Sequence, residues 1–236
     1  MAAFRFKEFS IEQDQCAMKV GTDGVLLGAW AGIDHEPDSI LDIGAGTGII
    51  ALMLAQRSHA ETIDALELDN AAYEQCVGNF EASPWADRLF CYHAALLEFA
   101  QEMDEPYDLI VCNPPFYSES VSSGNTQRDQ ARQNDSMPFT HLLTVAAHFL
   151  TDTGRFCMIA PFKEEKQLLK LGTSTGLYPT RICRVRGNDQ SPIKRSLLEF
   201  GKQTVDVETT ELTIEVERHQ YTTAYKQLTQ DFYLKM

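Results

Sequence analysis

The sequence has no C-x-x-C pair among its six cysteines, no H-E-x-x-H, no G-x-x-x-x-G-K-[ST] phosphate loop and no apolar run of membrane-spanning length. Each absence closes a class. Cys16, Cys76, Cys91, Cys112, Cys157 and Cys183 are scattered, which argues against structural zinc and against a secreted disulfide framework. Buried free thiols in a reducing cytosol are the plainer expectation. The histidines show no ligand spacing either, so no metal site is expected. Without the phosphate loop, a nucleoside triphosphatase is not expected. The N-terminal MAAFRFKEFSIEQDQ lacks the apolar stretch of a signal peptide, so the expected location is cytoplasmic, away from membranes. Basic residues are scarce as well. Twenty Lys and Arg against 34 Asp and Glu leave a net charge of −14, the wrong sign for a general polyanion binder. Residues 181–202 run against that trend, carrying Arg181, Arg184, Arg186, Lys194, Arg195 and Lys202 against only Asp189 and Glu199.

At 236 residues the chain can bury one sizeable core and reads as a single α/β domain with short additions at both ends. Apolar runs at residues 40–43, 62–68, 89–92, 107–112 and 155–160 predict five buried strands. Helical spacing follows at residues 49–54, 71–80 and 139–150. Alternation of this kind, with strands apolar on both faces, predicts a parallel sheet covered by helices on both sides. Residues 182–185 and 196–200 flank the turn-rich RGNDQSP and predict a C-terminal antiparallel hairpin. The expected organisation is an N-terminal segment over 1–35, a core over 36–180, and the hairpin with a tail over 181–236. Residues 117–136 are polar and almost free of apolar anchors, which fits either a functional lid or a solvated surface loop.

LDIGAGTG, residues 41–48, joins the first core strand to its helix. Gly44, Gly46 and Gly48 permit a tight turn around Ala45 and close approach of a ligand to the backbone. Asp42 closes the strand at the edge where open α/β sheets hold their ligands. Glu67 ends the second strand about twenty residues on, the spacing at which an acid reaches two ribose hydroxyls. The other reading makes Glu67, like Asp69, a cap for the helix that follows. The third glycine comes one residue earlier than in G-x-G-x-x-G, which suits a ligand with an adenosine and no pyrophosphate. At the end of the fourth strand stands CNPPF, residues 112–116. Tandem prolines fix φ and remove backbone donors. The chain therefore stops in a rigid corner presenting an amide, several carbonyls and an aromatic ring. Alone, NPPF reads equally as a strand-ending turn.

In combination, LDIGAGTG, the acid of ALELD and NPPF resemble the S-adenosylmethionine-dependent methyltransferases that modify exocyclic or amide nitrogens. The resemblance implies a Rossmann-like class I methyltransferase fold, α/β with a mostly parallel seven-stranded sheet. It implies S-adenosyl-L-methionine as cofactor, held at Asp42, Gly44, Ala45, Gly46, Gly48 and Glu67. It also implies catalysis at Asn113, Pro114, Pro115 and Phe116. An sp² amino nitrogen is a poor nucleophile because its lone pair is delocalised. The Asn113 side-chain oxygen and the Pro114 carbonyl would accept its two N–H bonds and draw it toward sp³ character. Phe116 would stack on the base and fix the angle of attack.

MKVGTDGVLLGAWA, residues 18–31, and the ending YTTAYKQLTQDFYLKM narrow the resemblance. They are similar to the bacterial tRNA methyltransferases that place a methyl on N6 of the adenine (position 37) beside the anticodon of a valine tRNA. In that family the segment of Lys19, Thr22 and Asp23 lies against the methionine end of the cofactor. Asp23 bonds the ammonium there, caps a helix beginning at Gly24, or does both. One place departs from the wider superfamily: after the third strand, in YHAALLEF, Ala95 stands where many relatives carry an acid for the cofactor adenine.

The partner implied is the anticodon loop of a tRNA; the sequence is silent on oligomeric state, and a monomer is the expectation. An adenine already outside a duplex costs little to extrude. Arg128 and Arg132 in the polar loop, and Lys194 and Arg195 in the basic hairpin, are candidates for phosphate and stacking contacts; the plainer reading makes them surface charge. Two other functions fit the motifs. One is N-methylation of an rRNA guanine or a protein glutamine amide, and the other is an RNA-binding scaffold that keeps the fold without catalysis. Phe116 leans toward a nucleobase, since the glutamine enzymes more often carry tyrosine there. Gly44, Gly46, Gly48, Glu67 and Asn113 together argue against the scaffold.

Overall fold

The computed structural model describes residues 3–115 and 138–235. Phe116, Arg128, Arg132 and the polar stretch from 117 to 136 lie outside the described residues. The chain opens with a short antiparallel pair, β1 (Phe4–Arg5) and β2 (Ser10–Ile11), then α1 (Thr22–Trp30). Next come β3 (Ser39–Ile43), α2 (Ile49–Arg57), β4 (Thr62–Glu67), α3 (Asn70–Glu81), β5 (Leu89–His93), α4 (Leu96–Glu102) and β6 (Tyr107–Cys112). After the undescribed stretch come α5 (Phe139–Phe149), β7 (Leu150–Pro161), a 3₁₀ turn (Phe162–Glu164), α6 (Glu165–Thr175), β8 (Tyr178–Arg186) and β9 (Ile193–Gly201). The chain ends with β10 (Glu208–Thr213), β11 (Glu215–Glu217), β12 (Gln220–Tyr221) and α7 (Thr223–Thr229).

One sheet organises the molecule, with strand order β10-β8-β9-β7-β6-β3-β4-β5. β5, β4, β3, β6 and β7 run parallel, β9 runs antiparallel to β7 and to β8, and β10 is parallel to β8. The expected hairpin is present as β8 and β9, built into the sheet. The sheet has eight strands rather than the expected seven. The extra one, β10 (ETTELT), buries only Leu212, so it shows none of the apolar alternation by which a strand is read.

Side chains of successive strand residues point to opposite faces. Ile40, Ile63, Leu109, Val111 and Ile159 therefore join a core beneath α1, α2, α3 and α7. Leu41, Leu66, Ile110, Phe156 and Leu198 join a second core beneath α4, α5 and α6. From β3 the chain builds outward to β4 and β5, then returns to lay β6 on the other side of β3. The crevice beyond the C-terminal ends of β3 and β6 is the topological switch point, where open α/β sheets bind ligands. LDIGAGTG leaves β3 there, and NPP leaves β6 beside it.

Two terminal pieces close the face over α1 and α2. The Lys7 N–H donates to the Phe232 carbonyl at 2.9 Å, and Phe6 forms a β-bridge with Tyr233. Phe6, Phe9, Tyr225 and Phe232 are buried in the same core. The C-terminal tail thus packs on the N-terminal hairpin.

Candidate active site

The glycine turn is held from one side and bare on the other. Gly44, Gly46 and Gly48 have φ of 76°, 56° and 78°, in the left-handed region that side chains disfavour. The Gly44 and Ala45 N–H groups both donate to the Leu66 carbonyl at 2.9 Å, which ties the turn to the end of β4. A Cβ on Gly48 would lie 2.6 Å from Phe80 Cε1 and 2.8 Å from Cys76 Sγ, so that glycine serves the packing of α3 on the turn. A Cβ on Gly44 or Gly46 would meet nothing within 4 Å. The backbone there borders open space, a cradle that two methyl groups would fill.

Glu67 belongs to this cradle. Its Oε2 accepts from the Gly46 N–H at 2.7 Å and its Oε1 from the Asp69 N–H at 2.8 Å. Each oxygen keeps a further lone pair for a hydroxyl donor. The helix cap is Asp69, whose side chain accepts from the Ala72 N–H at 2.9 Å. A carboxylate with two spare acceptor sites beside bare glycine backbone fits the ribose of an adenosine-bearing cofactor.

Asp42 lies beneath the turn, fully buried. Its Oδ2 accepts from the Ala51 N–H at 3.1 Å, in the first turn of α2, while Oδ1 has no partner. Burial pushes its pKa up to about 7, and the nearby Glu67 charge adds to that, against the Ala51 hydrogen bond. Asp42 therefore supports the turn from below and offers no surface to a ligand.

The N-terminal segment crosses over the turn, clamped by two amides on one face of α3. Asn79 Oδ1 accepts from the Glu12 N–H at 2.8 Å, and its Nδ2 donates to the carbonyls of Glu12 and Thr47 at 3.0 and 2.9 Å. Gln75 Oε1 accepts from the N–H groups of Gln15 and Cys16, and its Nε2 donates to Asp14. Gln13 accepts from the Val20 N–H at 2.8 Å, fixing the approach to α1. Lys19 and Thr22 are exposed at that approach. Sequence reading missed these clamps. The available signal was a pair of amides four residues apart on an otherwise apolar helix face, since buried amides require partners.

Asp23 corrects an expectation. The helix begins at Thr22 rather than Gly24, and its N-cap is Gly21, with no side-chain cap. The Asp23 carboxylate turns instead to Arg195, whose Nε donates to Oδ2 at 2.8 Å. An ion pair to a strand distant in sequence outbids the local N–H groups.

On the other side of the crevice, Asn113 is half-buried, Pro114 buried and Pro115 exposed. A Cβ on Gly24 would lie 4.0 Å from Asn113 Nδ2, with the amide oxygen farther away. The amide nitrogen faces α1, which leaves the oxygen for a donor from elsewhere. The start of α1 and the proline corner are thus direct neighbours.

The basic stretch is mostly neutralised. Arg181 pairs with Glu199 at 2.8 Å, Arg184 with Glu165 at 2.8 Å, Arg186 with Glu211, Arg195 with Asp23 and Lys202 with Asp152 at 4.0 Å. Among the described residues Lys194 alone of the six forms no ion pair. Most of the carboxylates come from outside residues 181–202, so a count along that stretch could not include them. Among the described residues no cluster of His, Cys, Asp or Glu could hold a metal ion, and no helix is long and apolar enough to cross a membrane.

Comparison with known proteins adds an independent line. The family described as "Methyltransferase small domain" matches residues 31–173. A tRNA1(Val) (adenine(37)-N6)-methyltransferase from Christiangramia forsetii is 59% identical over 235 residues, covering 99% of this chain and 98% of its own. The protein of that name from Pectobacterium carotovorum subsp. carotovorum is 42% identical, covering 99% of this chain and 94% of its own. Among solved structures, a predicted O-methyltransferase from Agrobacterium tumefaciens superposes with a TM-score of 0.70 at 18% identity, over 89% of this chain and 96% of that one. That likeness shows a class I methyltransferase fold. With relatives so similar from end to end, the chain belongs to the tRNA1(Val) (adenine(37)-N6)-methyltransferase family.

Proposed function

We propose that the protein transfers a methyl group from S-adenosyl-L-methionine to the exocyclic N6 amino group of adenine 37 in tRNA1(Val), in the cytoplasm. The observation that supports this most is the position of Asn113-Pro114 across the switch point from the glycine turn, in a chain similar over its full length to enzymes of that name. The bound cofactor supplies an electrophilic methyl on a sulfonium. The residues of this chain do the rest by position. Glu67 accepts hydroxyl donors from the ribose, and the bare backbone of Gly44 and Gly46 lies against the nucleoside. Lys19, Thr22 and Asp23 line the methionine end. Asn113 Oδ1 and the Pro114 carbonyl accept the two amino hydrogens of the adenine, which localises the nitrogen lone pair and directs it at the methyl. Buried Pro114 cannot swing aside, so its carbonyl is held for this contact. The proton leaves after the new bond forms, and no side-chain base is needed. Alignment of nitrogen, carbon and sulfur lowers the remaining barrier. Phe116, Arg128 and Arg132 keep their proposed roles in stacking and RNA contact.

The test is incubation of tRNA and rRNA from cells lacking the protein with labelled methyl donor, followed by identification of the labelled nucleoside. N6-methyladenosine in valine tRNA is expected; label in rRNA guanine, or no labelled nucleoside in either RNA, would overturn the reading. Asn113→Ala, folded and still binding the donor, is expected to lose about 100-fold or more in kcat, the loss typical for removing one hydrogen bond to developing charge.

A further inference from the structure

Phe162 is an aromatic side chain at the catalytic rim that no step above uses. It follows directly on β7 and remains 37% exposed. β6 and β7 are parallel neighbours with Cys112 level with Met158, so Phe162 stands three residues past the level of Asn113. At roughly 3.3 Å per residue that is about 10 Å, too far to touch the reacting amino group and near enough for an adjacent nucleotide.

The ring is held by a chain of contacts that reaches into the core. The Arg184 guanidinium carbon lies 5.6 Å from its centroid, within cation–π range. Arg184 is gripped at both Nε and Nη2 by Glu165, at 3.2 and 2.8 Å. Glu165 is 4% exposed, and its Oε2 accepts from the fully buried Ser196 hydroxyl at 2.6 Å. Covering the exposed third of this ring would be favourable, and the ion pair beside it holds the ring in place. The surroundings suit an anionic strand: Lys194 is exposed one residue from Arg195, which is level with Pro161, and the Lys163 side chain is 64% exposed, 3.6 Å from Glu164.

We propose that the Phe162 face, oriented by Arg184, Glu165 and Ser196, is a stacking platform for a base flanking the target adenine. Stacking on aromatic faces is how proteins commonly hold unpaired nucleotides. This rests on the function proposed above. The competing role is structural: the ring would merely shield the Arg184–Glu165 pair from water.

Kinetics with an anticodon stem-loop RNA separate the two. Phe162→Ala is expected to raise KM for the RNA about tenfold, with donor affinity by calorimetry unchanged and Phe162→Tyr restoring KM. In Phe162→Trp the added emission should be quenched by the RNA, relative to the wild-type background of Trp30 and Trp85. A merely structural ring would lower the unfolding midpoint of Phe162→Ala without changing KM or giving quenching, and that result would overturn the proposal. A wild-type protein inactive on the RNA would sink the functional reading and the platform together. An active wild type matched by Phe162→Ala would sink the platform alone.

Discussion

Asp42 is a carboxyl whose folded chemistry departs far from its behaviour in water. Its folded pKa is raised from 3.8 to about 7, chiefly by burial. The folded carboxyl holds a proton that the unfolded chain has already released, so its contribution to stability is fully present below pH 3.8 and is lost as pH rises to about 7. The loss is on the order of 4 kcal/mol. Asp42→Asn keeps the acceptor for Ala51 and removes the titration. Urea unfolding at a series of pH values should show a decline across that window in the wild type and a flatter line in the variant. Parallel profiles would assign the effect to other buried acids, such as Asp64, whose carboxyl burial also raises.

At the level of single elements, the glycine turn divides into packing and binding positions. Gly48→Ala drives a methyl into the Phe80 ring and Cys76 at a positive φ, and is expected to cost about 2 kcal/mol or more of stability. Gly46→Ala meets no neighbour and pays backbone strain of only about 1–2 kcal/mol. It should fold, yet bind the donor more weakly because its methyl occupies the open cradle. Denaturant unfolding beside calorimetry checks both; equal donor affinity in Gly46→Ala would remove the turn from the site. The turn, β6 and its proline corner were legible because glycines, prolines and wholly apolar strands carry their geometry in local chemistry. Tyr107–Cys112 matches the expected strand end for end. β10 and α6 were not legible: β10 shows one buried side chain, and α6 buries only Glu165, Leu168 and Gly172. A buried glutamate makes sense only once Arg184 and Ser196 stand beside it. The roles of Gln75, Asn79 and Asp23 were hidden for the same reason, since their partners are 32 to 172 residues away.

Across the molecule, five of the six cations that residues 181–202 offer are already engaged by carboxylates. Salt dependence of RNA binding should therefore be shallower than six cations would give. Lys194→Ala should reduce the slope of log K against log salt by about 0.7, and Arg195→Ala by less, because Asp23 already neutralises that guanidinium. Equal reductions for the two variants in a filter-binding titration would contradict this. The Asp23–Arg195 contact also joins two segments to which the proposed function gives different ligands, the cofactor at α1 and the RNA at the start of β9. An anion that draws the guanidinium away leaves a carboxylate seeking a positive group, and a positive group that claims the carboxylate sets the guanidinium loose. Whatever factor one such visitor applies to the other's affinity must be returned in equal measure. Under the proposed roles, a single exchangeable handshake at the rim would make the arrival of each substrate favour the other.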